Sequence, residues 1–121
     1  MQVNFASEKC SLSVGQYRNG ATAISLESVP DGSPVAVATV NVEDNPLEEF
    51  FIDLYHSHIL VKDYSENVGM VSALVEANVI HELPVGWVSS GYVEIPCHRL
   101  TDDFMSWWDQ GALDRQLERL S

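Results

Sequence analysis

The sequence predicts an α+β fold: an antiparallel, meander-like β-sheet of roughly four to six strands, with one central helix and a C-terminal helical segment packed on it. Three observations carry this reading. Short alternating runs, separated by turns rich in Gly, Pro and Asn, make the first two thirds of the chain read mostly as strand. Two later stretches, after residues 64 and 100, carry helical spacing instead. No internal repeat, low-complexity tract or Ser/Gly linker divides the 121 residues, so 1–121 reads as a single domain with one core.

Cys10-Ser11-Leu12-Ser13-Val14 alternates apolar with small polar residues, as a half-buried strand does. Asn19-Gly20 follows, the strongest short hairpin signal, because both central positions of a tight primed turn need positive φ. Thr22, Ile24 and Leu26 then alternate with Ala21, Ala23 and Ser25 as the returning strand. Pro30-Asp31-Gly32-Ser33-Pro34 is a turn whose glycine and prolines set backbone angles directly. Val35 to Val42 is apolar on both faces at first, which predicts a central strand covered on its second side. Glu43-Asp44-Asn45-Pro46 breaks the pattern, and Phe50 to His58 resumes as a fourth strand. Glu48 and Glu49 fit equally a short helical turn begun after Pro46.

Ser65 to Val79 predicts the central helix. Ser65 is its N-cap and Glu66 sits at the positive end of the dipole. Val71, Leu74, Val75, Asn78 and Val79 form the stripe that faces the sheet, and Gly69 weakens the start. Pro84-Val85-Gly86 turns the chain, and Tyr92 to Cys97 is a last strand whose ladder ends at Pro96. Thr101 caps the second helix, with Asp102 and Asp103 in its first turn. Phe104, Trp107, Trp108 and Gly111 then share one face, and Leu113, Leu117 and Leu120 lie roughly opposite. One straight helix cannot bury both stripes against one sheet. A break at Gly111 is therefore expected, the alternative being that the Leu stripe meets another molecule.

Charge narrows the function classes. Six Lys and Arg stand against eighteen Asp and Glu, a formal charge of −12. Phosphate binding needs clustered cations, so direct nucleic-acid binding is excluded, and so is an anionic membrane surface. What such a chain attracts is a basic protein or a cation. No apolar run approaches the roughly 18 residues of a membrane span. Met1 to Glu8 holds neither the basic nor the apolar segment of a signal peptide, and Cys10 and Cys97 are isolated rather than a disulfide framework. The expected compartment is the cytoplasm.

Catalytic chemistry finds little footing. His56 and His58 are two apart on a strand and so share a face that two imidazoles could use for Zn²⁺, but no third ligand lies nearby. Solvated side chains explain the pair as well. Cys97 and His98 are adjacent, so on a strand they point to opposite faces and cannot form a thiolate–imidazole pair. Cys10 reads as a small buried hydrophobe. The glycines stand singly, without the spacing of a phosphate-cradling loop. No catalytic residue, metal site or cofactor is assigned. The acids carry more information. Glu43, Asp44, Glu48 and Glu49 surround Pro46 with Asp53 just after, and Asp102, Asp103 and Asp109 mark the C-terminal segment. A solvated surface explains any one cluster. It explains the total less well, since solubility needs a net charge of only about 2–8 and self-repulsion destabilises a small domain. Trp107 and Trp108 sit 100° apart on a helix, so one is core and the other is left to anchor an interface.

Five segments bear on origin: Gly15-Gln16-Tyr17-Arg18-Asn19-Gly20, Ala23-Ile24-Ser25-Leu26, Ala38-Thr39-Val40-Asn41-Val42, Glu49-Phe50-Phe51-Ile52-Asp53, and Ser90-Gly91-Tyr92-Val93-Glu94-Ile95-Pro96. In order and spacing, the stretch Gln16 to Leu100 resembles an uncharacterised bacterial and phage family, one of the domain-of-unknown-function groups met on plasmids, integrative elements and prophages. The resemblance implies a compact antiparallel sheet with a helix or two, and a mobile-element origin in a bacterial host. It brings no activity and no catalytic residues. The family-like core spans about residues 10–100, and the segment 101–121 lies outside it. Charge and resemblance together predict a non-enzymatic inhibitor of anti-CRISPR or anti-restriction type, which would bind a basic surface such as that of a CRISPR effector subunit or a restriction enzyme. The contact residues expected are Glu43, Asp44, Glu48, Glu49, Asp53, Asp102, Asp103, Asp109, Trp107 and Trp108. The alternative is an accessory protein of conjugation or phage maintenance that forms a homodimer through the C-terminal helical segment. A small metal-dependent enzyme around His56 and His58 is the remaining reading.

Overall fold

The computed structural model of the protein describes residues 1–42 and 57–120, with side chains described as far as Gly111. The expectations placed on Glu43, Asp44, Glu48, Glu49, Asp53 and His56, and on most of a strand over Phe50 to His58, lie outside the described residues.

Strands β1 (Gln2–Phe5), β2 (Glu8–Gln16), β3 (Thr22–Ser28) and β4 (Pro34–Val37) form a four-stranded antiparallel sheet in that order. Strands β5 (His58–Leu60), β6 (Gly86–Ser90) and β7 (Val93–Arg99) form a second antiparallel sheet in the order β5-β7-β6. Two helices, α1 (Met70–Glu76) and α2 (Asp102–Leu120), complete an α+β fold. The strands described thus number seven in two sheets, against the single smaller sheet expected.

The segment 38–40 joins the sheets. Ala38 donates its N–H to the Ile24 carbonyl (2.8 Å), while the Ala38 carbonyl accepts from Lys62 N–H (2.9 Å). Val40 N–H donates to the Leu60 carbonyl at 3.1 Å. The central position expected for Val35 to Val42 is therefore held only by its second part. Among the described residues strand β4 has a neighbour on one side, and Val37 is 51% exposed.

Three hairpins follow different turn chemistry. Between β1 and β2, Ala6 (φ 52°) and Ser7 (φ 64°) form a two-residue turn with both positions at positive φ, a primed turn built without Asn or Gly. Between β2 and β3, Gly20 alone has positive φ, at 91°. Tyr17 N–H donates to the Ala21 carbonyl, and Gly20 N–H to the Tyr17 carbonyl. The loop is a three-residue one closed by a left-handed glycine, not the two-residue turn that Asn-Gly predicts. Gly91 (φ 60°) opens the two-residue turn between β6 and β7. The expected Asp31 turn forms: the carboxylate accepts Ser33 N–H and Oγ–H at 3.0 and 2.7 Å, and these bonds hold it below the usual carboxylate range.

Helix α1 is shorter than the predicted Ser65–Val79. Ser65–Asn67 is a 3₁₀ turn, and Ser65 (φ 53°) makes no capping bond. Gly69 at φ 99° separates that turn from the helix, and Asp63 rather than Ser65 supplies the cap: its Oδ1 accepts N–H from Gly69 (2.7 Å) and Met70 (2.8 Å). The helix ends at Glu76 because Asn78 turns left-handed (φ 61°), with Asn78 N–H donating to Val75 and Val79 N–H to Leu74, the bonding of a Schellman motif. Asn78 is therefore exposed rather than part of the apolar stripe. Met70, Ala73 and Leu74 are the buried face.

Pro96 does not end its strand, and β7 runs on to Arg99. Pro96 O accepts from Val61 N–H, so its missing N–H faces the side of β5, beyond that strand's last residue, and no bond to β6 is lost. Helix α2 is also uninterrupted at Gly111, correcting the expected break, since a mid-helix glycine costs only about 1 kcal/mol. The core lies where β1, β3 and β5 meet both helices, centred on Val3, Ile24, Leu26, Ile59, Leu74 and Phe104.

Candidate functional site

Helix α2 positions the described part of the expected contact surface. Thr101, 6% exposed, caps it as predicted: its Oγ accepts Phe104 N–H at 3.1 Å and donates to the Asn78 carbonyl at 2.6 Å. That second bond ties the start of α2 to the end of α1. Asp102 and Asp103 follow in the first turn, exposed, where their charge meets the positive end of the dipole. Asp103 accepts a bond from the Asn78 side-chain amide. Both acids border a cavity of about 390 Å³ shared with His81 and Glu82.

The aromatic residues divide differently from the expectation that one Trp is core. Phe104 is buried and meets Trp107 in a tilted ring contact at 5.8 Å, and Trp107 stands 6.3 Å from Trp108. Both tryptophans are half-buried against the core. Trp108 and Asp109 line a second groove, of about 440 Å³, with Met105 and the Val14–Gln16 end of β2. The structure thus brings Asp102, Asp103, Asp109, Trp107 and Trp108 onto one helix, with Asp102 and Asp103 at one hollow, Trp108 and Asp109 at another, and Trp107 at neither.

Among the described residues, internal pairing of the carboxylates is sparse. Among the described residues the ion pair present is Lys62–Glu66, at 2.6 Å. That bond holds Glu66 below, and Lys62 above, their ordinary values.

The other chemical candidates are plainly placed. Burial pushes the Cys97 thiol up to about 11, and Cys10 is raised by burial and by the nearby Glu8. Cys97 pairs with Leu60 and Gly86 while His98 pairs with Ile59, so thiol and imidazole lie on opposite faces. Burial thus disfavours both thiolates, and Cys97 faces away from the His98 imidazole that would activate it. His58 Nδ1 lies 2.8 Å from Ser57 Oγ. Among the described residues, no group of three potential ligands could hold a metal. No helix of the described chain is long and apolar enough to cross a membrane.

One surface has no counterpart in the sequence reading. Trp87 on β6 is 54% exposed and borders a cavity of about 210 Å³ with Asp63, Glu82, Glu94 and His98. The signal available was the alternation Val85, Trp87, Ser89 outward against Val88 inward, masked by reading Pro84-Val85-Gly86 as a turn alone.

Compared with known proteins, the chain matches no family model, no curated sequence and no solved structure.

Proposed function

We propose that the protein is a small acidic, non-enzymatic inhibitor from a mobile genetic element, acting by occupying the basic surface of a nucleic-acid-handling defence protein of its bacterial host, of the CRISPR effector or restriction enzyme kind. The observation that carries this reading is the unneutralised charge. Eighteen acids face six cations in the sequence, and the described residues hold a single ion pair. A surface of that sign competes with phosphate for an arginine-lined channel and steers encounter with it. The test is cleavage of plasmid DNA by purified restriction enzymes and CRISPR effectors, with and without the protein. Inhibition relieved by raised salt supports the reading. Undiminished cleavage at stoichiometric excess across the panel overturns it.

The continuous α2 favours a second reading. Leu113, Leu117 and Leu120 keep the spacing of one helical stripe on an unbroken helix, which suits a homodimer of an accessory protein. A monomer by light scattering at micromolar concentration removes that alternative.

A further inference from the structure

Among the described residues, strand β6 lies at the outer edge of its sheet, paired with β7. In a two-residue hairpin the closing pair, here Ser90 and Val93, is hydrogen-bonded, and bonded and unbonded pairs then alternate. Trp87 and Ser89 therefore turn their N–H and C=O groups away from β7, toward the open edge. The directions of the β7 carbonyls agree, since Cys97 O accepts from Val85 N–H on the β6 side and Pro96 O from Val61 on the other. Edge strands are ordinarily guarded by Lys, Pro or a covering element. Gly86-Trp87-Val88-Ser89-Ser90 carries no charge and no proline, and its neighbours Leu83 and Val85 are 77% and 58% exposed.

The face beside this edge has a definite chemistry. Trp87, Glu94, Pro96 and His98 share one side of the sheet, because Trp87 pairs with Pro96 and Ser89 with Glu94. They line the hollow that Asp63 and Glu82 complete. Glu94 Oε1 accepts from Ser89 Oγ (2.8 Å) and Asp63 Oδ1 from backbone N–H groups, which leaves each a second oxygen. His98 is 1% exposed, and its Nδ1 lies 2.9 Å from the His81 carbonyl. Its ring forms part of the wall of the hollow. Among the described residues the polar lining is thus a half-exposed indole, three carboxylates and an imidazole, with no Lys or Arg.

We infer that the β6 edge docks an extended, basic segment of a partner protein. The segment adds as a strand through the outward backbone groups of Trp87 and Ser89 and places a Lys or Arg side chain over the Trp87 indole, between Glu82 and Glu94. Main-chain bonds supply affinity, and the cation, held by the ring face and the carboxylates, supplies selection. A second copy of this chain is a poor occupant, since its own edge brings the same acids. The site uses Asp63, Glu82 and Glu94, none of them among the contact acids expected at 43–53 and 102–109, so the two can be tested by different substitutions.

The probe is a blocked heptapeptide, Thr-Lys-Val-Arg-Val-Lys-Thr, titrated into the ¹⁵N-labelled full chain, beside a control peptide with its cations replaced by Gln. Amide shifts are expected at Trp87, Ser89 and the Trp87 indole, with the control binding about tenfold more weakly. Trp87→Ala and Ser89→Pro should each weaken binding by about fivefold, the second because it removes an outward N–H without touching the β6–β7 ladder. Should either variant lose its dispersed spectrum, Glu94→Gln at an exposed position reads the same cation contact. A variant with Glu43, Asp44, Glu48 and Glu49 neutralised should keep the shifts at β6. Equal binding of the Gln peptide, shifts confined to residues 102–109, or self-association through β6 with no peptide binding would each overturn the inference.

Discussion

Ala6 and Ser7 hold φ of 52° and 64° with a Cβ on each, a conformation that costs an ordinary residue about 1–2 kcal/mol. The cost is borne because the pair Phe5–Glu8 and the burial of Val3 and Phe5 fix the register of β1. Replacing Ala6 and Ser7 with Asn and Gly relieves it without altering a contact. The expected gain is about 1 kcal/mol, seen as a higher denaturant midpoint at unchanged slope. A loss of stability instead would show that the turn is not primed. Cys97 makes a prediction of a different kind. Its thiol is pushed up to about 11 from an ordinary 9.0 by burial, so the unfolded chain releases its proton first as pH rises. The contribution is whole below pH 9.0 and is lost progressively toward pH 11. The stability advantage of the parent over Cys97→Ala should therefore shrink between these limits, as followed by urea melts across the range. An advantage that stays constant contradicts the burial of that thiol.

Among the elements, those carrying their own local signal were legible, and those made by tertiary pairing were not. Strands β2 and β3 alternate in the sequence as they do in burial, and Thr101 caps its helix through the side chain that such caps require. Strand β1 escaped because its turn residues are neither Asn nor Gly, and β6 because a proline-glycine stretch runs straight into it. The central helix was overextended because its apolar stripe continues past Glu76 into Val79, which is buried outside the helix. Of the candidate site, the acidic segments are visible in composition, whereas the Trp87 hollow depends on register between β6 and β7. Two glycines test the element boundaries. Gly20 sits at φ 91°, where a β-branched residue is strained even though open space surrounds it, so Gly20→Val should cost over about 1 kcal/mol. Gly111 lies inside α2, and Gly111→Ala should stabilise by up to about 1 kcal/mol. Thermal shifts of opposite sign are expected. Equal shifts would mean that either the hairpin loop or the unbroken helix is wrongly placed.

At the scale of the whole molecule, a charge of −12 on 121 residues is a standing cost, because like charges repel more in the compact state than in the extended one. Among the described residues internal ion pairing does little to offset it, since the pair Lys62–Glu66 is exposed and such pairs contribute at most about 1 kcal/mol. On the proposed function, an external basic partner is the reason to retain the acids. Replacing Glu43, Asp44, Glu48 and Glu49 with Gln or Asn brings the charge to −8. Surface substitutions of this kind change stability by less than about 0.5 kcal/mol each, and relief of repulsion should raise rather than lower the melting temperature. Partner binding should fall mainly through the association rate and lose part of its salt dependence, because rim charges steer encounter more than they hold the complex. The parallel change at Asp102, Asp103 and Asp109 is less selective. Asp103 accepts from Asn78 and both early acids support the start of α2, so that variant is expected to melt lower as well. The two variants therefore separate steering from folding: the first should lose association rate at full stability, the second should lose both. If both retain full partner affinity at low ionic strength, the acids do not make the interface, and the exposed β6 edge with Trp87 becomes the surface to pursue.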